Sequence, residues 1–139
     1  MTNYDPRTIS TKVYTNLKRV KDRTSELKDH EKQKSQAVEL YSFVATWGLL
    51  RLAGEVPALS NERQKQAVVE CFFQTLGELA FAGETPNPLG GISRIDKLTD
   101  SNMTASDYLG LTGVALKVAQ EFSFWAEALY PKKIKVSVD

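Results

Sequence analysis

Apolar residues recur along most of this chain at intervals of three, four or seven positions, the spacing of one face of an α-helix. The first stripe follows Asp5 and Pro6, a pair typical of a helix start, because Asp accepts from free backbone amides and Pro fits the first turn. We therefore predict an amphipathic first helix that fades near residues 29–34. The apolar members of this stripe are Ile9, Val13, Leu17, Val20 and Leu27.

Two further helices are predicted in the middle of the chain. Residues 35–53, SQAVELYSFVATWGLLRLA, are apolar on most of the helix circumference, which indicates a central helix, with Gly54 as its C-terminal cap. Ser60 is expected to open a third helix, with Glu62 in its first turn, and Gly83 to stop it.

The C-terminal third begins with a loop. Residues 83–91, GETPNPLGG, hold three Gly and two Pro, so they predict a loop, and residues 92–98 predict one short helix. A last helix is expected to start at Thr104 with the capping-box-like sequence TASD. Its apolar positions alternate by three and four, and such a seam needs a partner helix to cover it. The seam consists of Tyr108, Leu111, Ala115, Val118, Phe122, Trp125 and Leu129.

These elements predict an all-α, single-domain bundle of about five helices over residues 1–139, with residues 131–139 as a polar tail. An apolar content of 42% is enough for one core, and we expect Trp47 and Trp125 to pack in it. The sequence contains no run of about 18 apolar residues, so we predict no membrane span. The first ten residues lack the features of a signal peptide, so we expect a cytoplasmic protein.

Catalytic chemistry has little support in this sequence. Cys71 is the only cysteine and lies in an apolar run, so we predict a buried, inert thiol. His30 is the only histidine and lies in a charged segment that we predict to be solvated. Neither residue can be the basis of a zinc cluster or of a His-dependent catalytic set. The neighbouring acidic residues Glu26 and Asp29 are better explained by ion pairs with nearby lysines than by acid–base catalysis. We predict no metal, no cofactor and no enzymatic activity.

Positive charge is concentrated near the start of the chain. Residues 12–34 hold eight Lys or Arg and four Asp or Glu, whereas the whole chain carries a net charge of only +1. On one continuous helix, Lys18, Lys21, Lys28 and Lys32 would fall within about 80° of each other, as a ridge roughly 21 Å long. A second ridge would hold Lys12, Arg19 and Arg23, and Lys34 would stand at the start of the next helix.

Such ridges suit the backbone of a nucleic acid. The alternative is a solvated helix with ion pairs between successive turns. The sequence therefore predicts eight phosphate-contacting residues, which are Lys12, Lys18, Arg19, Lys21, Arg23, Lys28, Lys32 and Lys34.

Two longer segments carry a resemblance to a known family. One is KQKSQAVELYSFVATWGLLRLAG, with Gly48 and Leu49 as a Gly-Leu pair, and the other is DYLGLTGVALKVAQEFSFWAEALYP. Together they resemble the small helical subunit of type III-B CRISPR ribonucleoprotein effectors, the Cmr small-subunit family. The chain departs from that pattern at Tyr41, where the family usually has Pro, and at Trp47, where Asn is common.

The resemblance implies a non-catalytic subunit that stacks with copies of itself beside the crRNA-bearing backbone of the effector. Its basic surface would lie along the duplex of crRNA and target RNA, mainly on the target strand, while other subunits cleave. Two alternatives remain at this point. A helical adaptor would bind a protein partner through the heptad seam. A small metal-dependent bundle enzyme would need an ExxH signature, but His30 follows Glu26 by four positions rather than three.

Overall fold

A computed structural model describes residues 5–130, and all regular structure within this range is helical, which confirms the all-α prediction. The predicted polar tail, residues 131–139, lies outside the described range. The six helices of residues 5–130 are α1 (Pro6–Asp22), α2 (Leu27–Trp47), α3 (Leu49–Ala58), α4 (Arg63–Ala80), α5 (Ser93–Thr99) and α6 (Ala105–Leu129).

Four of these helices form the body of the bundle. The longest helix, α6, packs against α1, α2 and α4, and α4 also contacts both α1 and α2. Phe122 of the predicted seam is fully buried and meets Phe72 of α4 at 5.8 Å between ring centroids. The partner that the seam requires is therefore supplied by the chain itself. The short helices α3 and α5 pack on each other, and α3 also contacts α2 and α4.

The first helix ends earlier than the apolar stripe predicts. α1 stops at Asp22 and α2 begins at Leu27, whose side chain is 58% exposed rather than part of the stripe. The turn is closed by His30, whose Nε2 lies 3.2 Å from the carbonyl oxygen of Lys21 and 2.7 Å from that of Thr24. The contact with Thr24 satisfies a carbonyl group beyond the end of α1, and the carbonyl of Lys21 also accepts from the backbone amide of Thr24 at 3.0 Å. The prediction that His30 lies in a solvated turn is therefore wrong, because this ring is half-buried and packs on Tyr130.

The predicted central helix is divided at Gly48. This glycine has a φ of 87°, in the left-handed region that side chains disfavour, so α2 ends there and α3 starts at Leu49. Gly54 lies inside α3 and caps nothing, which contradicts the prediction. Trp47, at the end of α2, is 54% exposed with the guanidinium of Arg51 over its ring, so the expected core position of Trp47 is also wrong.

The remaining boundaries lie close to the predictions. α4 starts at Arg63, three residues after Ser60, and ends at Ala80, before Gly83. The loop prediction for residues 83–91 and the short helix that follows it are confirmed. The capping box of α6 is also confirmed, because Thr104 and Asp107 each accept a hydrogen bond from the other's backbone amide, at 3.0 and 3.2 Å.

Candidate nucleic-acid interface

The break after α1 decides where the excess of positive charge lies. Residues 6–23, which are α1 and its C-cap, hold six Lys or Arg and a single acidic residue, Asp22. Residues 24–34 hold three Lys and three Asp or Glu. The positive excess of the predicted strip therefore belongs to α1 alone.

The same break separates the members of the predicted first ridge. Lys18 and Lys21 lie on α1, whereas Lys28 and Lys32 lie on the first turns of α2. The two helices pack against α4 and α6 instead of continuing one another. The four lysines thus do not form one ridge, because their angular alignment required one unbroken helix.

The predicted second ridge stays on one edge of α1. Lys12 and Arg19 line a groove of about 620 Å³ between α1 and α4, and Arg23 is the C-cap residue of the same helix. Asn16 fixes this edge by donating to Thr75 Oγ1 and Glu78 Oε1, both at 2.9 Å. This buried amide sets the rotation of α1, so the helix presents its remaining polar residues to solvent.

Threonine hydroxyls lie among these cations, and the charge analysis of the sequence missed them. Thr8, Thr11 and Thr15 line the same groove as Lys12 and Arg19. The available signal was their spacing of three and four residues on the polar side of the first stripe. Hydroxyl groups of this kind, like the side chains of lysine and arginine, donate hydrogen bonds to phosphate oxygens.

Five of the eight predicted phosphate contacts have no carboxylate within 4.0 Å among residues 5–130, and they are Arg19, Lys21, Arg23, Lys28 and Lys32. The other three are paired. Lys12 Nζ lies 3.9 Å from Glu78 Oε1, and Lys34 Nζ lies 3.3 Å from Glu127 Oε2.

The third pair lies on the exposed face of α1. Lys18 Nζ lies 2.6 Å from Asp22 Oδ2, and this hydrogen bond raises the pKa of the lysine and lowers the pKa of the aspartate. Asp22 thus already has a cation of α1 as its partner. Arg19 and Lys21 lie in the last turn of α1, where cations interact favourably with the negative end of the helix dipole. This interaction is a structural reason for cations at this position.

Other sites for chemistry are sparse within residues 5–130. No group of three or more His, Cys, Asp or Glu in this range is arranged to hold a metal ion. Cys71 is buried, as predicted, and burial raises the pKa of its thiol to about 12. Within the same range, no helix combines the length and the apolar character that crossing a membrane requires.

No family model, curated protein or solved structure matches this chain.

Proposed function

We propose that this protein binds the sugar-phosphate backbone of RNA along the outward face of α1, without catalysing a reaction. One observation carries the proposal: α1 and its C-cap present six cations and a row of threonine hydroxyls, and only three of the cations, Arg7, Lys12 and Lys18, have a carboxylate within 4.0 Å in residues 5–130. A helix of 17 residues is about 25 Å long, which is enough to follow several phosphates of one strand. Contacts of this kind position a strand without reading its bases.

The more specific form of the proposal rests on the sequence resemblance of residues 32–54 and 107–131. In this form the protein is the small subunit of a type III-B CRISPR effector in antiviral defence, located in the cytoplasm. Its partners are the duplex of crRNA and target RNA, contacted mainly on the target strand, other subunits of the effector and further copies of itself.

The adaptor alternative depended on a heptad seam open to a partner protein. In the bundle this seam is covered, since Leu111, Val118 and Phe122 are buried against helices of the same chain. Only Tyr108, Trp125 and Leu129 of the seam keep some exposure, so the seam offers little surface to another protein, and RNA binding along α1 is the better supported function.

The first experiment compares two triple variants of equal charge. One carries Arg19→Gln, Lys21→Gln and Arg23→Gln, the three cations of α1 and its C-cap without a carboxylate partner in residues 5–130. The control carries R51Q, R63Q and K65Q on α3 and α4. Fluorescence anisotropy with a labelled single-stranded RNA at several salt concentrations gives the affinity and its salt dependence, and circular dichroism checks the fold.

We expect the α1 triple variant to bind at least tenfold more weakly than the control. Its plot of log affinity against log salt should be flatter by about 2, because each lost phosphate contact removes roughly 0.7 from the slope on a single strand. Equal losses in both triple variants would mean that only net charge matters, and the proposal would fail. The effector assignment is tested separately by purifying the tagged protein from its native cells and sequencing any short guide RNA that accompanies it; purification with no RNA and no further subunit contradicts that assignment.

A further inference from the structure

Three aromatic side chains meet where α1 packs on α6. The Trp125 ring lies 4.9 Å from the Tyr14 ring and 5.0 Å from the Phe124 ring, between centroids, and both contacts are edge-to-face. Trp125 is fixed further by its Nε1, which donates to Ser10 Oγ at 3.0 Å. Phe124 is thus an outer ring on a rigid support, and 55% of its surface is exposed.

An exposed phenylalanine is not informative by itself, because single apolar residues are common on protein surfaces. The surroundings of Phe124 distinguish it from such isolated residues. Tyr14 and Lys18 are one helical turn apart, and they line a shallow groove of about 390 Å³ together with Arg19, Asp22 and Arg23. The aromatic cluster therefore borders the basic face of α1 directly.

Two further cations lie farther along the same helices. Lys21 lies two turns after Tyr14 along α1, and Lys117 lies two turns before Phe124 along α6. Three carboxylates lie nearby. Glu121 accepts from Ser10 Oγ at 3.3 Å, Asp22 is paired with Lys18, and Glu127, one turn after Phe124 on α6, is paired with Lys34 at 3.3 Å. Positive charge beside the ring therefore comes from the α1 side, where Lys18, Arg19 and Arg23 line the groove with Tyr14, whereas the nearest charged residues on α6 are carboxylates.

We propose that Phe124 stacks on an unpaired base of the RNA strand that α1 holds by its phosphates. Tyr14 and Trp125 support the ring, and Arg19 and Lys21, which have no carboxylate within 4.0 Å in residues 5–130, neutralise the phosphates on either side of that nucleotide. Cationic grooves beside aromatic rings are how proteins hold single strands without sequence preference, because every base has a stacking face. This inference rests on the proposed function and deepens it, since backbone contacts alone would not distinguish an unpaired strand from a duplex.

The test uses two strands that differ only in their bases. One is a single-stranded oligouridylate and the other is an abasic strand of equal length. Phe124→Ala should weaken binding of the oligouridylate about tenfold and leave the abasic strand unaffected, while Phe124→Tyr should bind both strands as the unmodified protein does. The matched control is Trp47→Ala, which removes an equally exposed aromatic ring from the far end of α2 and should change neither affinity.

A second measurement reports on the cluster directly. Trp47→Phe leaves Trp125 as the only tryptophan of the chain. In this background the oligouridylate should quench tryptophan fluorescence, and the abasic strand should quench it much less.

The outcomes separate the two proposals. If Phe124→Ala binds both strands normally while the α1 triple variant loses affinity, stacking is wrong and the backbone proposal stands. If the unmodified protein binds neither strand, both proposals fail. If Phe124→Ala keeps its RNA affinity but no longer joins other subunits, the ring is a protein contact and the stacking inference is overturned.

Discussion

The hydroxyl of Tyr130 donates a hydrogen bond of 2.6 Å to Oε1 of Gln33, which is fully buried. The amide nitrogen of Gln33 donates in turn to Thr24 Oγ1 at 2.9 Å and to Gln64 Oε1 at 2.6 Å. One side chain of α2 thereby joins the turn after α1, the start of α4 and the end of α6. Burial raises the pKa of Tyr130, so its hydroxyl remains a donor over the neutral pH range.

Replacing Tyr130 by Phe removes this donor and leaves Oε1 of Gln33 buried without a partner. We expect the free energy of unfolding to fall by about 1–3 kcal/mol, because an unsatisfied buried polar atom costs its desolvation. Urea denaturation measures the loss. The control is Tyr108→Phe, whose hydroxyl accepts from the amide of Leu50 at an exposed position and should cost less than about 1 kcal/mol. Equal losses of unfolding free energy in the two variants would show that the hydrogen bond to Gln33 contributes no more to stability than the exposed one.

Two glycines on either side of the helix break should respond oppositely to alanine. Gly48 has a φ of 87°, so Gly48→Ala should destabilise the protein by about 1–2 kcal/mol. Gly54 lies inside α3 with open space where a Cβ would be, so Gly54→Ala should stabilise it by about 0.5–1 kcal/mol. Thermal denaturation of both variants tests this pair. A stabilising Gly48→Ala would mean that α2 and α3 can join into one helix, as the sequence pattern predicts.

Helix content was predictable here because the apolar periodicity is strong and the capping residues of α1 and α6 are local signals. The position of the first helix end was not. Leu27 fits the apolar stripe of α1, and it is placed after a turn by the packing of His30 on Tyr130 and the hydrogen bond from Gln33 to Gln64, which both reach distant parts of the chain. Trp47 was misplaced for a similar reason, since a residue at the end of a helix need not follow the helix face that its spacing indicates.

The excess of positive charge at the candidate site was predictable from the sequence, but the arrangement of those charges on the protein surface was not. Counting charges along residues 12–34 identifies cations, yet their arrangement depends on where α1 stops. The threonines of α1 were missed because they carry no charge. Phe124 was missed because it lies off the seam that drew attention to Phe122 and Trp125, and nothing in its spacing indicates that α1 packs beside it.

Two aromatic residues of the α6 seam should differ in their contribution to stability. Phe122 is fully buried, so Phe122→Ala should cost about 3–5 kcal/mol. Trp125 is only half-buried, and Trp125→Ala should cost about 1–3 kcal/mol, less than a fully packed site would give. Guanidinium denaturation with circular dichroism measures both. A larger loss at Trp125 would mean that its contacts with Ser10 and Tyr14 stabilise the bundle more than the core contacts of Phe122.

The stability of the protein should fall at alkaline pH because of Cys71. Burial raises the pKa of its thiol from an ordinary value of 9.0 to about 12. As pH rises above 9.0, the unfolded chain loses the thiol proton and the folded chain keeps it, so the unfolded state binds fewer protons and is favoured. The contribution is complete below pH 9.0 and is lost progressively up to about pH 12. Tyr130 acts in the same direction at higher pH, since its ordinary pKa is 10.0.

Urea denaturation at mildly alkaline pH isolates the thiol. Between about pH 8 and 10, the unmodified protein should lose on the order of 1 kcal/mol more than Cys71→Ala does. The alanine variant starts from a lower stability, so the comparison concerns the change with pH and not the absolute value. Parallel pH profiles for the two proteins would contradict the assignment of this loss to Cys71.

The last prediction distinguishes a continuous basic strip from a site confined to α1. The double variant Lys28→Gln, Lys32→Gln removes two exposed cations of α2, and its partner Arg19→Gln, Arg23→Gln removes two from α1. The α2 pair stands among three acidic residues, so its loss should change RNA affinity less than about twofold and leave the salt slope unchanged. The α1 pair should flatten the slope by about 1.4, because two contacts to a single strand are lost.

Both variants carry the same net charge, and anisotropy titrations at several salt concentrations compare them directly. Lys28 also lies in the first turn of α2, where a cation is unfavourable to the helix dipole, so its removal should not weaken the fold. Any affinity lost by the α2 pair therefore reports on RNA and not on unfolding. If the two pairs lose affinity equally, the strand crosses the turn between α1 and α2, and the surface extends over both helices despite the break between them.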